Sequence, residues 1–255
     1  SSIQNYHYKK LKKLSNNKFN KKGQEFIIEG IKEIGLAAKS NFKINKIYFR
    51  EQKPFKFDIL LKKETEVFYL KKNLFDLLTY RKSSSKLIAI AEKKNYTLNS
   101  IFIKKKSILI IIENIEKPGN LGAILRTADG MGVSGIIIVD SKINIYNSNV
   151  IRSSVGSVFN LPIIKTNKEE AIKFLNKSKF NLYNTIISKN SKNYLDVNYL
   201  GKTAIAFGSE DKGLSKKWKS FDAKEICIKM NGENDSFNLS VSVGIILSEV
   251  VRQTK

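Results

Sequence analysis

The sequence predicts an α/β protein in two parts: a mostly parallel sheet with helices on both faces, preceded by a small α/β/α domain. Two observations predict this. The runs Ile108–Ile112 and Gly135–Val139 are almost wholly apolar, as parallel strands buried on both faces are. Between such runs lie stretches with apolar residues at helical spacing, for instance Leu121, Leu125 and Ala128, and alternation of this kind builds βαβ units. A chain of 255 residues is long enough for two domains with a sizeable core.

The N-terminal part begins with a lysine- and asparagine-rich lead-in over residues 1–22. Leu11 and Leu14 sit there at helical spacing, so it reads as a short basic helix or arm. Phe26–Ala38 starts as an apolar run and becomes helix-periodic, with the change at Glu29-Gly30. Ile44–Phe49 alternates like a strand, Asp58–Lys63 reads as a short helix and Val67–Leu70 as a strand. Asn73–Leu78 is a helix opened by an asparagine cap. Tyr80–Lys86 is a polar, basic loop suited either to phosphate or to solvent, and Leu87–Ala91 is a further strand. Lys93–Ser100 is polar and looks like an interdomain linker, and the expected division is residues 1–98 for this domain, a linker over 99–105, and residues 106–255 for the second domain.

In the second domain the strand at Ile108–Ile112 runs into a loop with Pro118 and Gly119, and a helix follows from Asn120. Next come Gly135–Val139 (strand), Asn149–Ser157 (helix), Leu161–Ile164 (strand), Glu169–Leu175 (helix) and a strand ending near Thr185. Thr203–Phe207 is a strand leading into Gly208–Ser215. Glu225–Ile228 is a strand, Met230–Asn238 a loop and Leu239–Arg252 a terminal helix.

Charge narrows the function. There are 46 Lys+Arg against 23 Asp+Glu, a net of +23. The first 100 residues hold 23 of the basic and 9 of the acidic residues. A surface this basic suits a polyanion, because neutralised phosphates release counterions. A lysine-, asparagine- and isoleucine-rich composition also raises charge without any partner. One cysteine, Cys227, excludes an intramolecular disulfide and points to the cytoplasm. No apolar run approaches the roughly 18 residues of a membrane span, and no signal-peptide core is seen. Ser1 stands where an initiator methionine would, as after processing or engineering.

Three loops follow strand ends, after Ile112, Phe207 and Ile228, and each holds glycine beside polar groups. Neither a G-x-G-x-x-G nor a P-loop is present, so those nucleotide sites are unsupported. Taken singly, each candidate residue has a plain alternative. Gly208-Ser209-Glu210 with Gly213 also suits a strand-to-helix turn. Asn120 could cap its helix, and Arg126 could be solvated or paired with Asp129. Ser236 and Asn238 could cap the last helix. Cys227 reads as a core residue. His7, the only histidine, sits in the lead-in, which disfavours histidine triads and histidine metal sites.

Taken together, NIEKPGNLGAILRTADGMG (Asn114–Gly132), AFGSEDKGLS (Ala206–Ser215) and IKMNGENDSFNLSVSVGIILSEVVRQ (Ile228–Gln253) resemble, in that order, the motifs of the SpoU (TrmH-like) family of RNA ribose 2′-O-methyltransferases, within the SPOUT superfamily. Phe26–Gly30 and Lys86–Glu92 resemble the family's RNA substrate-binding domain. The resemblance implies a C-terminal trefoil knot in which S-adenosyl-L-methionine binds, held by the positions matching Gly208, Ile228, Phe237 and Thr185. Phe237 stands where the family usually has leucine. The resemblance further implies Arg126 as the central catalytic residue, held by Asn120. Glu210 would orient the site, and Ser236 and Asn238 would position ribose or phosphate. It implies no metal, RNA as partner (ribosomal RNA first, transfer RNA as the alternative) and a cytoplasmic homodimer. A non-catalytic RNA-binding factor on the same scaffold is the competing reading. Whether Arg126 acts as base or as phosphate clamp stays open, since a guanidinium holds its charge to a pKa above about 12.

Overall fold

A computed structural model describes residues 6–15, 23–51, 63–79, 86–220 and 222–254. The expected helix Asp58–Lys63 and the loop Tyr80–Lys86 fall outside these residues, apart from Lys63 and Lys86. The chain divides into two compact units, one of residues 1–94 and 144–160, the other of residues 95–143 and 161–255.

The first unit is built on a four-stranded sheet of order β1-β4-β2-β3, with β1 (Glu25–Glu29), β2 (Ile44–Arg50), β3 (Glu66–Leu70) and β4 (Leu87–Glu92). β4 pairs antiparallel with both β1 and β2, and β2 pairs parallel with β3. The sequence LIAIA of β4 belongs at the centre, and Leu87 to Ala91 are fully buried. The lead-in forms α1 (Tyr6–Ser15), whose Tyr8 and Leu11 pack on one sheet face with Ile27, Tyr48, Ile88 and Ile90. Leu74 and Phe75 of α3 (Lys72–Asp76) join the same cluster. Side chains alternate along a strand, so Phe26 points to the opposite face. There it stacks on Tyr146 and Phe159, with Phe42 edge-on. Gly30, at φ 106, makes the turn from β1 into α2 (Ile31–Lys39); a Cβ there would lie 2.4 Å from the Glu33 carboxylate. The asparagine cap expected at Asn73 is not formed. α3 begins one residue earlier, and its capping position is Lys71.

The second unit carries a seven-stranded, wholly parallel sheet of order β7-β6-β5-β10-β8-β11-β9. Its strands are β5 (Ile108–Glu113), β6 (Gly135–Val139), β7 (Ile163–Thr166), β8 (Asn181–Thr185), β9 (Lys192–Asn193), β10 (Thr203–Phe207) and β11 (Lys224–Cys227). From β5 the chain winds outward through β6 and β7. It then crosses to the other half, where β10 inserts between β5 and β8. One face is covered by α6 (Lys168–Lys177), with Ile172, Leu175 and the buried Trp218 packed on Leu109, Ile111 and Ile137. α4 (Pro118–Gly130) and α7 (Leu239–Thr254) pack on each other; their buried residues lie outside that cluster, which fits the opposite face.

Several expected boundaries move. α4 starts at Pro118 in the first helical position, where a missing N–H costs nothing, so Asn120 lies inside the helix rather than capping it. The helix expected over Asn149–Ser157 is the shorter α5 (Ser148–Ser153), because Val155 and Gly156 both take positive φ and break it. Residues 144–160, expected within the C-terminal domain, belong to the first unit, held by Tyr146 and Phe159, which stack on Phe26 and meet Phe42 edge-on. Residues 95–105 pack with the second unit rather than span between the two: Ile101 is buried, and Tyr96, Leu98 and Ile103 lie against the same cluster.

Candidate active site

Parallel sheets place ligands beyond the carboxyl ends of their strands, where the winding direction changes. In the second unit that region holds a cleft of about 410 Å³, within the range of small-molecule and cofactor sites. Thr185, Phe207 and Cys227, the last residues of β8, β10 and β11, form its floor, and the first turns of α7 close it with Leu239, Ser242 and Ile246.

The four residues expected to hold the cofactor all line this cleft: Thr185, Gly208, Ile228 and Phe237. Thr185 Oγ1 donates to the Ala206 carbonyl at 2.9 Å, tying β8 to β10. Gly208 sits back to back with the chain it leads into. A Cβ on it would lie 1.9 Å from the Gly213 carbonyl carbon and 2.1 Å from the Leu214 nitrogen. The loop is closed further by Gly213 N–H donating to Ser209 O at 3.0 Å. Ile228 follows β11 directly, and Phe237 is 42% exposed at the rim.

Of the residues expected to be catalytic, Glu210 and Ser236 line the same cleft. Asn120 Nδ2 donates to Glu210 Oε1, which joins α4 to the loop after β10. Asn238 Nδ2 donates to Asn120 Oδ1 at 3.4 Å, while its own Oδ1 accepts from the Ser240 N–H at 2.9 Å. Asn238 thus caps α7 and touches Asn120 at once. Arg126 is exposed on α4, and its guanidinium has no hydrogen bond or ion pair with any described residue, Asp129 included. The expectation that Asn120 holds Arg126 is not met here, because its amide is engaged by Glu210 and Asn238. Six residues along an α-helix separate two side chains by about 240° around the axis and about 9 Å along it.

Cys227 is half-buried on the cleft rather than in the core, because β11 ends there. Sequence reasoning also missed Ser242 and Ile246. Their spacing from Leu239 puts all three on one helix face, a signal that was present. Among the described residues no group of three or more His, Cys, Asp or Glu could hold a metal ion.

Residues 107–248 match the SpoU rRNA methylase family. The chain belongs to that family. It is an RNA methyltransferase by that membership, and residues 5–89 match the MRM3-like substrate-binding domain. The 23S rRNA (adenosine(1067)-2′-O)-methyltransferase of Streptomyces azureus is 27% identical over 231 residues, covering 88% of this chain and 84% of that protein. The tRNA (guanosine(18)-2′-O)-methyltransferase of Thermus thermophilus is 32% identical, over 59% of this chain and 77% of its own. In fold, an AdoMet-bound rRNA methyltransferase from Sinorhizobium meliloti superposes with a TM-score of 0.92 at 24% identity, covering all of this chain and 97% of that one.

Proposed function

We propose that this protein transfers a methyl group from S-adenosylmethionine to a ribose 2′-hydroxyl of RNA, with 23S ribosomal RNA as the target. One observation carries the reading: a single cleft gathers Thr185, Gly208, Ile228 and Phe237, and Asn120, Glu210 and Asn238 are bonded to one another at its edge. The cleft suits the cofactor chemically. Ile226, Ile228, Phe237 and Ile246 offer apolar walls to a flat purine, and Ser242 and Glu210 offer polar partners to the rest.

When bound, S-adenosylmethionine supplies an electrophilic methyl group on a sulfonium that is already a good leaving group. The chain's part is to align the hydroxyl and to let its proton go as the new oxygen–carbon bond forms. Arg126 acts as a clamp on a phosphate next to the target ribose. Its exposure and its lack of a described partner support this, and its fixed charge argues against a role as base. Asn120 and Glu210 hold the loop after β10 against α4, with Ser236 and Asn238 at the ribose. The first unit presents the RNA and the second performs the transfer, in a cytoplasmic homodimer whose catalytic domain is threaded as a trefoil knot. The exposed apolar Val241 on α7 supports pairing through that helix, and the return of the chain from β11 to pack α7 on α4 supports the threading.

Transfer RNA is the second reading, favoured by the Thermus thermophilus relative. That relative covers 59% of this chain, whereas the Streptomyces azureus enzyme spans both units, which favours ribosomal RNA. A non-catalytic role is disfavoured by the presence of Asn120, Arg126, Glu210, Ser236 and Asn238 together. Mapping of 2′-O-methyl groups in RNA from wild-type and deletion cells tests the target. One missing methyl in 23S rRNA is expected, and an unchanged 23S pattern would overturn the assignment.

A further inference from the structure

A buried polar cluster beside the cleft is not used by the reading above. Glu113 is the last residue of β5, and its side chain is 2% exposed. Its Oε1 accepts from Lys168 Nζ at 2.5 Å and from Ser215 Oγ at 2.9 Å, and its Oε2 accepts from the Ser215 N–H at 2.8 Å. Lys168, at the start of α6, also donates to Ser215 Oγ and lies 3.8 Å from Asp140. Burial pushes the Glu113 carboxyl up, but the bonds from Lys168 and Ser215 outweigh it and hold the group below the usual carboxylate range.

A buried ion pair is a poor source of stability, since an apolar pair of similar volume often does as well or better. What it supplies is one geometry, because each bond requires Ser215 to sit in one place. Ser215 ends the loop that Gly208 begins. That loop is therefore held at three points: Glu210 on Asn120, Ser209 on Gly213, and Ser215 on Glu113. Glu113 also immediately precedes the turn into α4, which carries Asn120 and Arg126. The carboxylate at the end of β5 thus ties the segment leading into α4 to the end of the loop 208–215.

We propose that Glu113, Lys168 and Ser215 are positioning residues, fixing the loop 208–215 against the wall that carries Asn120 and Arg126. This rests on the reading of the cleft as the S-adenosylmethionine site. The test compares the full-length chain with Ser215→Ala, Ser215→Thr and the double variant Glu113→Leu/Lys168→Met, by calorimetric titration with S-adenosylmethionine, thermal unfolding and steady-state methyl transfer. Loss of hydrogen bonds to a charged group predicts about tenfold weaker cofactor binding and a matching rise in KM for Ser215→Ala. Ser215→Thr keeps the hydroxyl and stays within about threefold of the unaltered chain. The double variant keeps or raises its melting temperature while its KM for S-adenosylmethionine rises about tenfold or more. Cofactor binding by the unaltered chain, with affinity and KM unmoved in Ser215→Ala and in any folded double variant, would overturn the proposal alone. No binding by the unaltered chain would overturn the reading of the cleft, and this proposal with it.

Discussion

Replacing Gly208 with alanine puts one methyl group where the chain has already folded back on itself. The added carbon would lie 1.9 Å from the Gly213 carbonyl carbon, 2.1 Å from the Leu214 nitrogen and 2.3 Å from the Gly213 oxygen. Ordinary contacts between such atoms need about 3.5 Å, so the end of β10 and residues 213–214 must separate by roughly 1.5 Å. Neither side yields easily, since the atoms met are backbone. Gly213 is tied to Ser209, and Ser215 is tied to Glu113. Overpacking of this kind costs about 1–3 kcal/mol, and contact with backbone puts this case at the upper end. If the loop yields instead, the Ser209–Gly213 bond is lost and the cleft changes shape. A cost near 3 kcal/mol charged to the binding-competent loop is about 100-fold in affinity. Calorimetric titration of S-adenosylmethionine into the unaltered chain and into Gly208→Ala measures it. Gly130→Ala is the control, because its added methyl meets nothing within 4 Å. Binding by Gly208→Ala within about threefold of the unaltered chain would refute the packing argument.

Arg126→Ala is expected to lower the rate of methyl transfer by about 10²–10³-fold with S-adenosylmethionine binding unchanged; single-turnover kinetics beside calorimetry separate the two, and retained activity would remove its assigned role. Phe159→Ala, in the aromatic cluster with Phe26 and Phe42, should cost about 3–5 kcal/mol of the first unit's stability, read as a shift in urea midpoint; a loss below about 1 kcal/mol would mean the cluster does not hold residues 144–160 in place. Glu249 makes a pH test. Arg252 donates to it twice at 2.7 Å and Gln253 once at 2.6 Å, which holds its carboxyl down at about 2. Its folded pKa lies below the unfolded value of about 4.3, so its contribution is complete above that value and is lost as pH falls through about 2. Exposure of Arg252 keeps the effect small through solvent screening. The stability gap between the unaltered chain and Glu249→Gln should hold steady above pH ~5 and narrow below pH ~4, and a gap independent of pH would refute the assignment.

The central strands were legible because a parallel strand buried on both faces leaves an unbroken apolar run. β5, β6 and β10 each read that way, and Gly30 marked the turn from β1 to α2. What could not be read were features with no local pattern. β9 is two residues, Lys192–Asn193, paired only with β11, and two residues carry no periodicity. Residues 99–105 read as a linker because the apolar run there is only three residues long, Ile101 to Ile103, yet Ile101 and Ile103 pack on the second unit, as does Leu98 before them. Glu113, Lys168 and Ser215 lie far apart in the chain. A buried charge is invisible until its partner is located, so nothing local distinguished Glu113 from the solvated acids nearby.

The candidate site shows the same limit within one helix. Asn120 and Arg126 were legible as residues of interest, and their resemblance-based pairing brought them together. Helical geometry turns them apart, and the fold gives Asn120 different partners. Its amide donates to Glu210 and its carbonyl accepts from Asn238, so one side chain links all three motif segments: the helix after β5, the loop after β10 and the start of α7. Arg126 is left exposed, as the proposed clamp on an external phosphate requires. The asparagine is better understood as the joint of the site than as a prop for the arginine. Asn120→Ala should therefore loosen the loop at Glu210 and weaken cofactor binding, whereas loss of Arg126 should not. If titration with S-adenosylmethionine showed the two variants binding alike, the separation of their roles would fail.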